Sequence, residues 1–172
     1  HYMNRKYVPR MTVDNLPVAE RQKYEEWEAQ GHLVIHEREY NDQEFIFQDL
    51  RDFMKENKML PVAFGYDRWN AREIVRLIED YYGDITYQVP QTVKVLSSPL
   101  KVYKTKTKTG KIIFNDPVST FCHMNVVVKI DGNNNIFPNK EKAKEKIDVF
   151  ASQLDAYITY EDKKEELSYY FE

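Results

Sequence analysis

The sequence feature that most constrains the fold is residues 60–71, LPVAFGYDRWNA, a short apolar run that ends on an aspartate. Its apolar residues are too few for a helix and too continuous for a half-exposed strand, so they predict a buried parallel strand over residues 61–66. Asp67 stands where that strand ends. Asn70 is a good N-cap for the amphipathic residues 71–82, which predict a helix directly after the turn.

An aspartate at this place has two interpretations. In open α/β sheets ligands collect beyond the carboxyl ends of the strands, and a carboxylate there can hold a metal ion or accept a proton. Asp67, next to Arg68, can equally be a turn cap, and for a lone aspartate that simpler interpretation is favoured. A functional site therefore needs a second acid.

The first half of the chain alternates between helical and extended patterns. A chain of 172 residues fits one domain with one core. Alternation of this kind predicts a single α/β domain, with a parallel sheet and right-handed crossovers. The predicted helices cover residues 18–30, 43–57 and 71–82, and the predicted strands cover residues 33–35, 61–66 and 85–89.

The second half of the chain adds a hairpin and a long helix. NVVVKID at residues 125–131 and the apolar pair at 136–137 flank a Gly-Asn-Asn-Asn turn, which predicts a β-hairpin. Residues 149–158 sustain a helical stripe, so Asp148 lies at a helix start, where an acid can simply complement the helix dipole. Residues 160–172 are acidic and aromatic, which is compatible with a flexible tail or with a partner contact.

Composition excludes several classes of protein. The net charge of -3, from 25 Lys and Arg against 28 Asp and Glu, excludes nucleic-acid binding through overall positive charge. The single cysteine, Cys122, excludes a disulfide framework and suits a reducing cytoplasm. No apolar run approaches the roughly 20 residues that cross a bilayer, so we expect a cytoplasmic protein with no membrane partner.

The acids are what remains after a search for catalytic motifs. The chain contains no phosphate-binding GxxxxGK[ST] loop and no HExxH, CxxC or GxSxG motif. Two widely separated acids, Asp67 and Asp148, are left, with Asp131 as a third candidate. Oxygen-only ligands point to Mg²⁺ or Mn²⁺, and carboxylates that meet in the fold could hold a metal pair for phosphodiester hydrolysis.

Residues 91–111 contain the only concentrated basic segment of the sequence. Lysines interleaved with threonines are compatible with contacts to a DNA backbone, although they carry no base-reading signature. A solvated helix face or a mobile loop explains them equally well. The lysines concerned are Lys101, Lys104, Lys106, Lys108 and Lys111.

Several motifs occur in a fixed order along the chain. They are Tyr24-x-x-Trp27-x-x-x-Gly31, GYDRWNA at residues 65–71, SSPLK at residues 97–101, NVVVK at residues 125–129, Asp131, Pro138, Lys140 and Lys146-Ile147-Asp148. This order resembles the C-terminal nuclease domain of the large terminase subunit of tailed bacteriophages. The resemblance covers nearly the whole chain, and the GYDRWNA and NVVVK…KID blocks together are specific.

The resemblance implies a fold, an activity and partners. It implies an RNase H-like fold with a mixed sheet flanked by helices, and cutting of concatemeric double-stranded viral DNA by a carboxylate-bound pair of Mg²⁺ or Mn²⁺ ions. Asp67 and Asp148 would be the second and third acids of the catalytic trio. The implied partners are an ATPase motor domain in the same parent chain, the small terminase subunit and the portal, in the cytoplasm of an infected bacterium.

One element of the family pattern is missing. The family's first acid lies on a strand before the segment that matches Tyr7, and only six residues precede Tyr7 here. We therefore expect residues 1–172 to be a nuclease domain truncated at its N-terminus and lacking its first strands. Three hypotheses stay open: a metal-dependent endonuclease domain, a noncatalytic module that binds DNA or protein, and a structural domain whose acids cap turns.

We expect residues 1–172 alone to bind metal weakly, Mn²⁺ ahead of Mg²⁺, and to show little or no nuclease activity. Two carboxylates neutralise less of the metal's charge than the three of the family do. The missing ligand should weaken Mg²⁺ binding more than Mn²⁺ binding, because Mg²⁺ demands near-ideal octahedral geometry. A plasmid-nicking assay with each metal, on this chain and on a version extended at its N-terminus, measures this. Robust cutting by the short chain would show that another residue, with Asp131 the first suspect, replaces the missing acid.

Overall fold

The computed structural model describes residues 4–69, 71–114, 116–139, 142–143 and 145–170. The strands of these residues pair in three separate two-stranded sheets. β1 (Tyr7–Pro9) pairs in parallel with β2 (Val34–His36), and β3 (Phe64–Tyr66) in parallel with β4 (Thr86–Gln88). β5 (Val128–Ile130) and β6 (Ile136–Pro138) form the predicted antiparallel hairpin. Parallel and antiparallel pairing are both present, but the expected single mixed sheet is not formed by the described strands.

Short strands explain this difference from the predicted sheet. Each described strand is three residues long, so each ladder holds few hydrogen bonds and the helices supply most of the packing. The strand predicted over residues 61–66 is reduced to β3, and its residues are half-buried rather than fully buried. Pro61, which has no N–H to donate to a ladder, lies outside the strand.

Helices account for most of the remaining described residues, and the three helices predicted in the first half of the chain agree with them to within one residue at each end. Gly31 follows the C-cap residue Gln30 in the left-handed conformation, with φ +77°, as expected for a glycine just past a helix end. The helices are α1 (Arg10–Asp14), α2 (Val18–Ala29), α3 (Gln43–Glu56), α4 (Arg72–Tyr82), α5 (Val93–Lys108), α6 (Pro117–Met124) and α7 (Asp148–Leu167), followed by a 3-10 turn (Ser168–Tyr170).

Two segments are more ordered than the sequence suggests. The basic segment is largely helix α5, which contains Pro99 and buries Leu96, Leu100 and Tyr103. Residues 160–170, where a flexible tail was one expectation, continue α7 and end in the 3-10 turn, because Leu167 is buried and anchors the end of the helix. Residues 171–172 of that segment lie outside the described residues.

The core lies where α5, α6 and α7 pack together. Tyr103 is 1% exposed, and its ring makes edge contacts with Phe150 and Tyr157 of α7. Cys122 of α6 is buried in the same cluster, and burial raises the pKa of its thiol. It is therefore the small buried hydrophobe that a single cysteine in a reducing compartment predicts.

Gly65 lets β3 lie directly against α7. A Cβ atom built on Gly65 would overlap the Thr159 hydroxyl oxygen and lie 3.0 Å from the backbone oxygen of Asp155. Thr159 is buried, and its hydroxyl donates to that Asp155 oxygen at 2.9 Å, so its side chain is held in place. The strand that carries Asp67 can therefore approach α7 this closely only with glycine at this position.

We expect Gly65→Ala to lower the free energy of unfolding by about 1–3 kcal/mol, the usual cost of forcing an extra carbon into a packed contact. Urea denaturation measures the change. Gly132→Ala is the matched control, because a Cβ atom there meets nothing within 4 Å, and we expect it to stay within about 0.5 kcal/mol of the parent protein. Equal stability of the two variants would contradict the close contact at Gly65.

Candidate functional site

Asp67 and Asp148 line one cavity of about 610 Å³ between the end of β3 and the start of α7. Asp67 follows directly after β3, and Asp148 is the first residue of α7. The two acids that the sequence singled out are far apart in the chain, and folding brings them to the same cavity. Small residues of α7 line it as well, namely Ala151, Ser152 and Ala156.

The turn after β3 holds the Asp67 carboxylate. Its Oδ1 atom accepts a hydrogen bond from the Trp69 backbone N–H at 3.2 Å, and the residue is half-buried. The predicted N-cap, Asn70, lies outside the described residues. The residue that precedes α4 is Ala71, which makes no side-chain capping bond.

Asp148 lines the same cavity from the first turn of α7. Ile147 immediately before it is buried and anchors the helix start, while Asp148 itself is exposed. A carboxylate in the first turn is stabilised by the helix dipole, as the sequence suggested. This capping role and a position at the cavity are compatible with each other.

A third acid, Asp155, which sequence reasoning missed, lines the same cavity. It lies seven residues after Asp148 on α7, is only 6% exposed, and accepts a hydrogen bond from Gln91 Nε2 at 2.9 Å. Asp155 also lines a second cavity of about 410 Å³ together with Asp67. A spacing of seven residues is about two helical turns, so the pair Asp148 and Asp155 was a readable signal of one shared helix face.

Asp131 has a different position. Its carboxylate accepts hydrogen bonds from the Asn133 N–H at 2.8 Å and from the Asn135 N–H and side-chain amide at 2.9 Å each, within the turn between β5 and β6. These bonds, the Asn135 side chain first, lower the pKa of Asp131. The structure thus gives Asp131 a turn-capping role, and its assignment as a metal ligand stays a prediction.

The lysines predicted to contact DNA lie on α5 and just after it. Lys106 bonds Glu161 of α7 at 2.7 Å and lies 4.9 Å from the centre of the Tyr157 ring. These contacts raise the pKa of Lys106, with the Glu161 bond as the largest cause. The other four, Lys101, Lys104, Lys108 and Lys111, are exposed.

No three His, Cys, Asp or Glu side chains come close enough together to hold a metal ion in the described ranges of the chain. The donors at the shared cavity are carboxylate and hydroxyl oxygens, which suit a hard divalent cation. They provide two exposed or half-buried acids, Asp67 and Asp148, and one buried acid, Asp155.

Comparison with known proteins identifies the family. A family model described as "Terminase large subunit, endonuclease domain" matches residues 2–163. The chain belongs to this family. The resemblance seen in the sequence is thereby confirmed. A search of curated proteins gave no significant match.

A solved terminase shares the fold. The chain is similar to the crystal structure of the HK97 bacteriophage large terminase, with a TM-score of 0.76 and 19% sequence identity. The match covers 88% of this chain and 32% of that protein, so the chain spans about a third of the solved terminase. At this identity the likeness establishes a mixed α/β terminase nuclease fold. None of the helices in the described ranges is long and apolar enough to cross a membrane.

We expect Glu161→Gln to lower the free energy of unfolding of this terminase domain by about 0.5–1 kcal/mol at neutral pH, because it removes the ion pairs of Glu161 with Lys106 and Lys164. The bond from Lys106, followed by those from Lys164 and Tyr157, lowers the pKa of Glu161 from 4.5 to about 2. A depressed carboxyl pKa stabilises the fold above the unfolded pKa, so this contribution is complete above pH 4.5 and is lost as the pH falls towards 2.

Urea denaturation at about pH 7 and about pH 3 tests this dependence. The stability difference between the parent protein and Glu161→Gln should shrink at the lower pH. Glu165→Gln, which removes an exposed charge from the same helix, is the control and should change little at either pH. A difference that stays constant with pH would exclude the ion pairs as its source.

Proposed function

We propose that this chain is a metal-dependent endonuclease domain that cuts concatemeric double-stranded viral DNA, with Asp67 and Asp148 as metal ligands. The observation that carries the proposal is that these two acids line one cavity although they are far apart in the chain. Membership of the terminase endonuclease family supports the same activity. Turn capping or helix capping alone gives no reason for both acids to meet.

The donor set fits Mg²⁺ or Mn²⁺. Asp67 uses one carboxylate oxygen for the Trp69 N–H and has Oδ2 as a second donor, and Asp148 contributes a carboxylate from the helix start. Both are hard oxygen donors of the kind these ions prefer. When bound, a pair of divalent ions lowers the pKa of an attacking water and stabilises the leaving oxygen of a phosphodiester.

The residues of the chain have distinct tasks in this proposal. The Trp69 N–H keeps the Asp67 carboxylate oriented, and the contact of Gly65 with α7 sets the separation of the two cavity walls. Ala151 and Ala156 have short side chains, which leave space for a DNA strand to approach the acids. The buried Asp155, bonded to Gln91, adds a third carboxyl group to the lining of the cavity.

The wider setting also follows from the family. We propose an RNase H-like arrangement of the strands, and we propose that the domain works beside an ATPase motor domain of the same parent chain, with the small terminase subunit and the portal. Its place of action would be the cytoplasm of the infected bacterium. Lys101, Lys104, Lys108 and Lys111 are exposed and available for weak contacts with DNA, whereas Lys106 is engaged with Glu161.

We expect Asp67→Asn and Asp148→Asn each to abolish cutting in the version extended at its N-terminus, while the fold stays intact. Each change removes the negative charge that holds a divalent cation but keeps the shape of the side chain. Plasmid nicking with Mn²⁺ and with Mg²⁺ measures activity, calorimetric titration with Mn²⁺ measures metal binding, and urea denaturation checks the fold.

Asp162→Asn is the matched control, because it removes an exposed acid of α7 that does not line the cavity of Asp67 and Asp148, and we expect it to keep both cutting and metal binding. Unchanged cutting by either Asp67→Asn or Asp148→Asn would exclude that residue from the metal site. Salt-sensitive DNA binding with no metal-dependent cutting in any version would favour a noncatalytic DNA-binding module instead.

A further inference from the structure

An exposed indole ring lies beside the two acids. Trp69, two residues after Asp67, is 71% exposed, whereas the second tryptophan of the chain, Trp27, is 7% exposed in the core. Tryptophan is highly buried on average, so packing of this domain does not explain an exposed indole. A large aromatic surface at the edge of a proposed site indicates contact with a ligand.

The indole is held by its neighbours in the turn. Its backbone N–H is bonded to Asp67, and the Arg68 guanidinium carbon lies 5.2 Å from the centre of the Trp69 ring. Asp67, Arg68 and Trp69 are therefore consecutive residues, and Trp69 contacts both of the others. A stacked guanidinium and indole offer a positive charge and a flat apolar face together.

Positive side chains line two cavities that residues of this turn also border. The exposed Lys129 of the β5–β6 hairpin lines the cavity of about 410 Å³ together with Asp67 and Trp69. Arg68 and Arg72 line a depression of about 700 Å³ together with Tyr66 at the end of β3.

The depression is not purely basic. Arg76 lines it too, four residues beyond Arg72, but it is paired with Asp80 at 2.9 Å. Glu73 and Glu79 line the same depression and offset part of its charge. Arg68 and Arg72 thus lie one and five residues after Asp67, and Lys129 lines a cavity together with Asp67, in a chain whose net charge is -3.

We infer that Arg68, Trp69, Arg72 and Lys129 form a surface that holds one strand of a DNA duplex across the cavity of Asp67 and Asp148. The three cations bind phosphates on either side of the acids, and the Trp69 indole packs against the sugar and base edge of the same strand. Phosphate contacts fix the position of a duplex, and aromatic contacts of this kind tolerate any base. The inference rests on the proposed function for the identity of its substrate.

This surface differs from the basic segment of α5. Of that segment, Lys106 is engaged with Glu161, and Lys104 and Lys108 line a separate cavity of about 240 Å³ beside His123. Neither Asp67 nor Asp148 lines that cavity, whereas Trp69 and Lys129 line a cavity together with Asp67. A strand bound along the turn after β3 lies at the acids, which a nuclease needs.

The test is binding of a short fluorescein-labelled DNA duplex to the full chain, measured by fluorescence anisotropy in EDTA so that no cutting occurs. We expect Trp69→Ala to weaken binding about tenfold, because it removes the apolar contact of the indole with the sugar and base edge, and Trp69→Phe to keep most of the affinity. Arg68→Ala, Arg72→Ala and Lys129→Ala should each reduce the slope of log affinity against log salt by about 1.

Tyr40→Ala is the matched control. Tyr40 is an exposed aromatic residue, 69% exposed, in the loop before α3, and its replacement should leave DNA affinity unchanged. Urea denaturation should show equal stability for Trp69→Ala and the parent protein. A second readout is iodide quenching of tryptophan fluorescence: the duplex should protect Trp69, and this protection should be missing in Trp69→Phe because Trp27 is buried.

Three results would overturn the inference. The first is that Trp69→Ala binds the duplex as tightly as the parent protein. The second is that Lys104→Ala and Lys108→Ala lose binding while the Arg68 and Lys129 variants do not. The third is that the chain binds a single strand more tightly than the duplex. Because binding is measured without metal, it is separable from the proposed function. Normal cutting by Asp67→Asn with weakened binding by Trp69→Ala would remove the acids from catalysis and leave this surface in place.

Discussion

The close contact between β3 and α7 is the constraint on which the rest of this domain depends. Gly65 has no side chain, so β3 can lie against the buried Thr159 and the backbone of Asp155. Asp67 lies two residues after Gly65, and α7 begins at Asp148, so this contact joins the strand and the helix beside which the two acids lie.

A network of polar side chains also holds α7 in place. Lys6 pairs with Asp116 at 2.8 Å, Asp116 accepts the Ser119 hydroxyl at 2.6 Å, and Ser119 in turn accepts from Gln153 at 3.1 Å. Ser119 and Gln153 are buried, and buried polar groups are costly unless each finds a partner. Because these partners lie on the N-terminal segment, α6 and α7, the network fixes the helix that carries Asp148 and Asp155.

The placement of individual charged side chains in this terminase domain differs from what its net charge suggests. Asp67 and Asp148 line one cavity, Lys129 lines a second cavity together with Asp67, and Arg68 and Arg72 line a depression beside Tyr66, although the net charge is negative. Lys106 shows that a basic residue in the sequence is not always available to a ligand. Its ammonium group is already paired with Glu161 and lies over the Tyr157 ring. Substrate recognition in such a chain depends on where charges are placed, and the total charge says little about it.

Local patterns were enough to predict α3, α4 and the β5–β6 hairpin, because helical periodicity, capping and turn residues act between near neighbours in the chain. The places of Asp67 after a strand and of Asp148 at a helix start were enough to single out these acids, and motif order was enough to identify the family. Only tertiary structure decided that these acids share a cavity, that Asp155 joins them, that the strands form separate pairs and that Glu161 engages Lys106. Those outcomes depend on contacts between elements distant in sequence, such as Gly65 against Thr159, which no short-range pattern encodes.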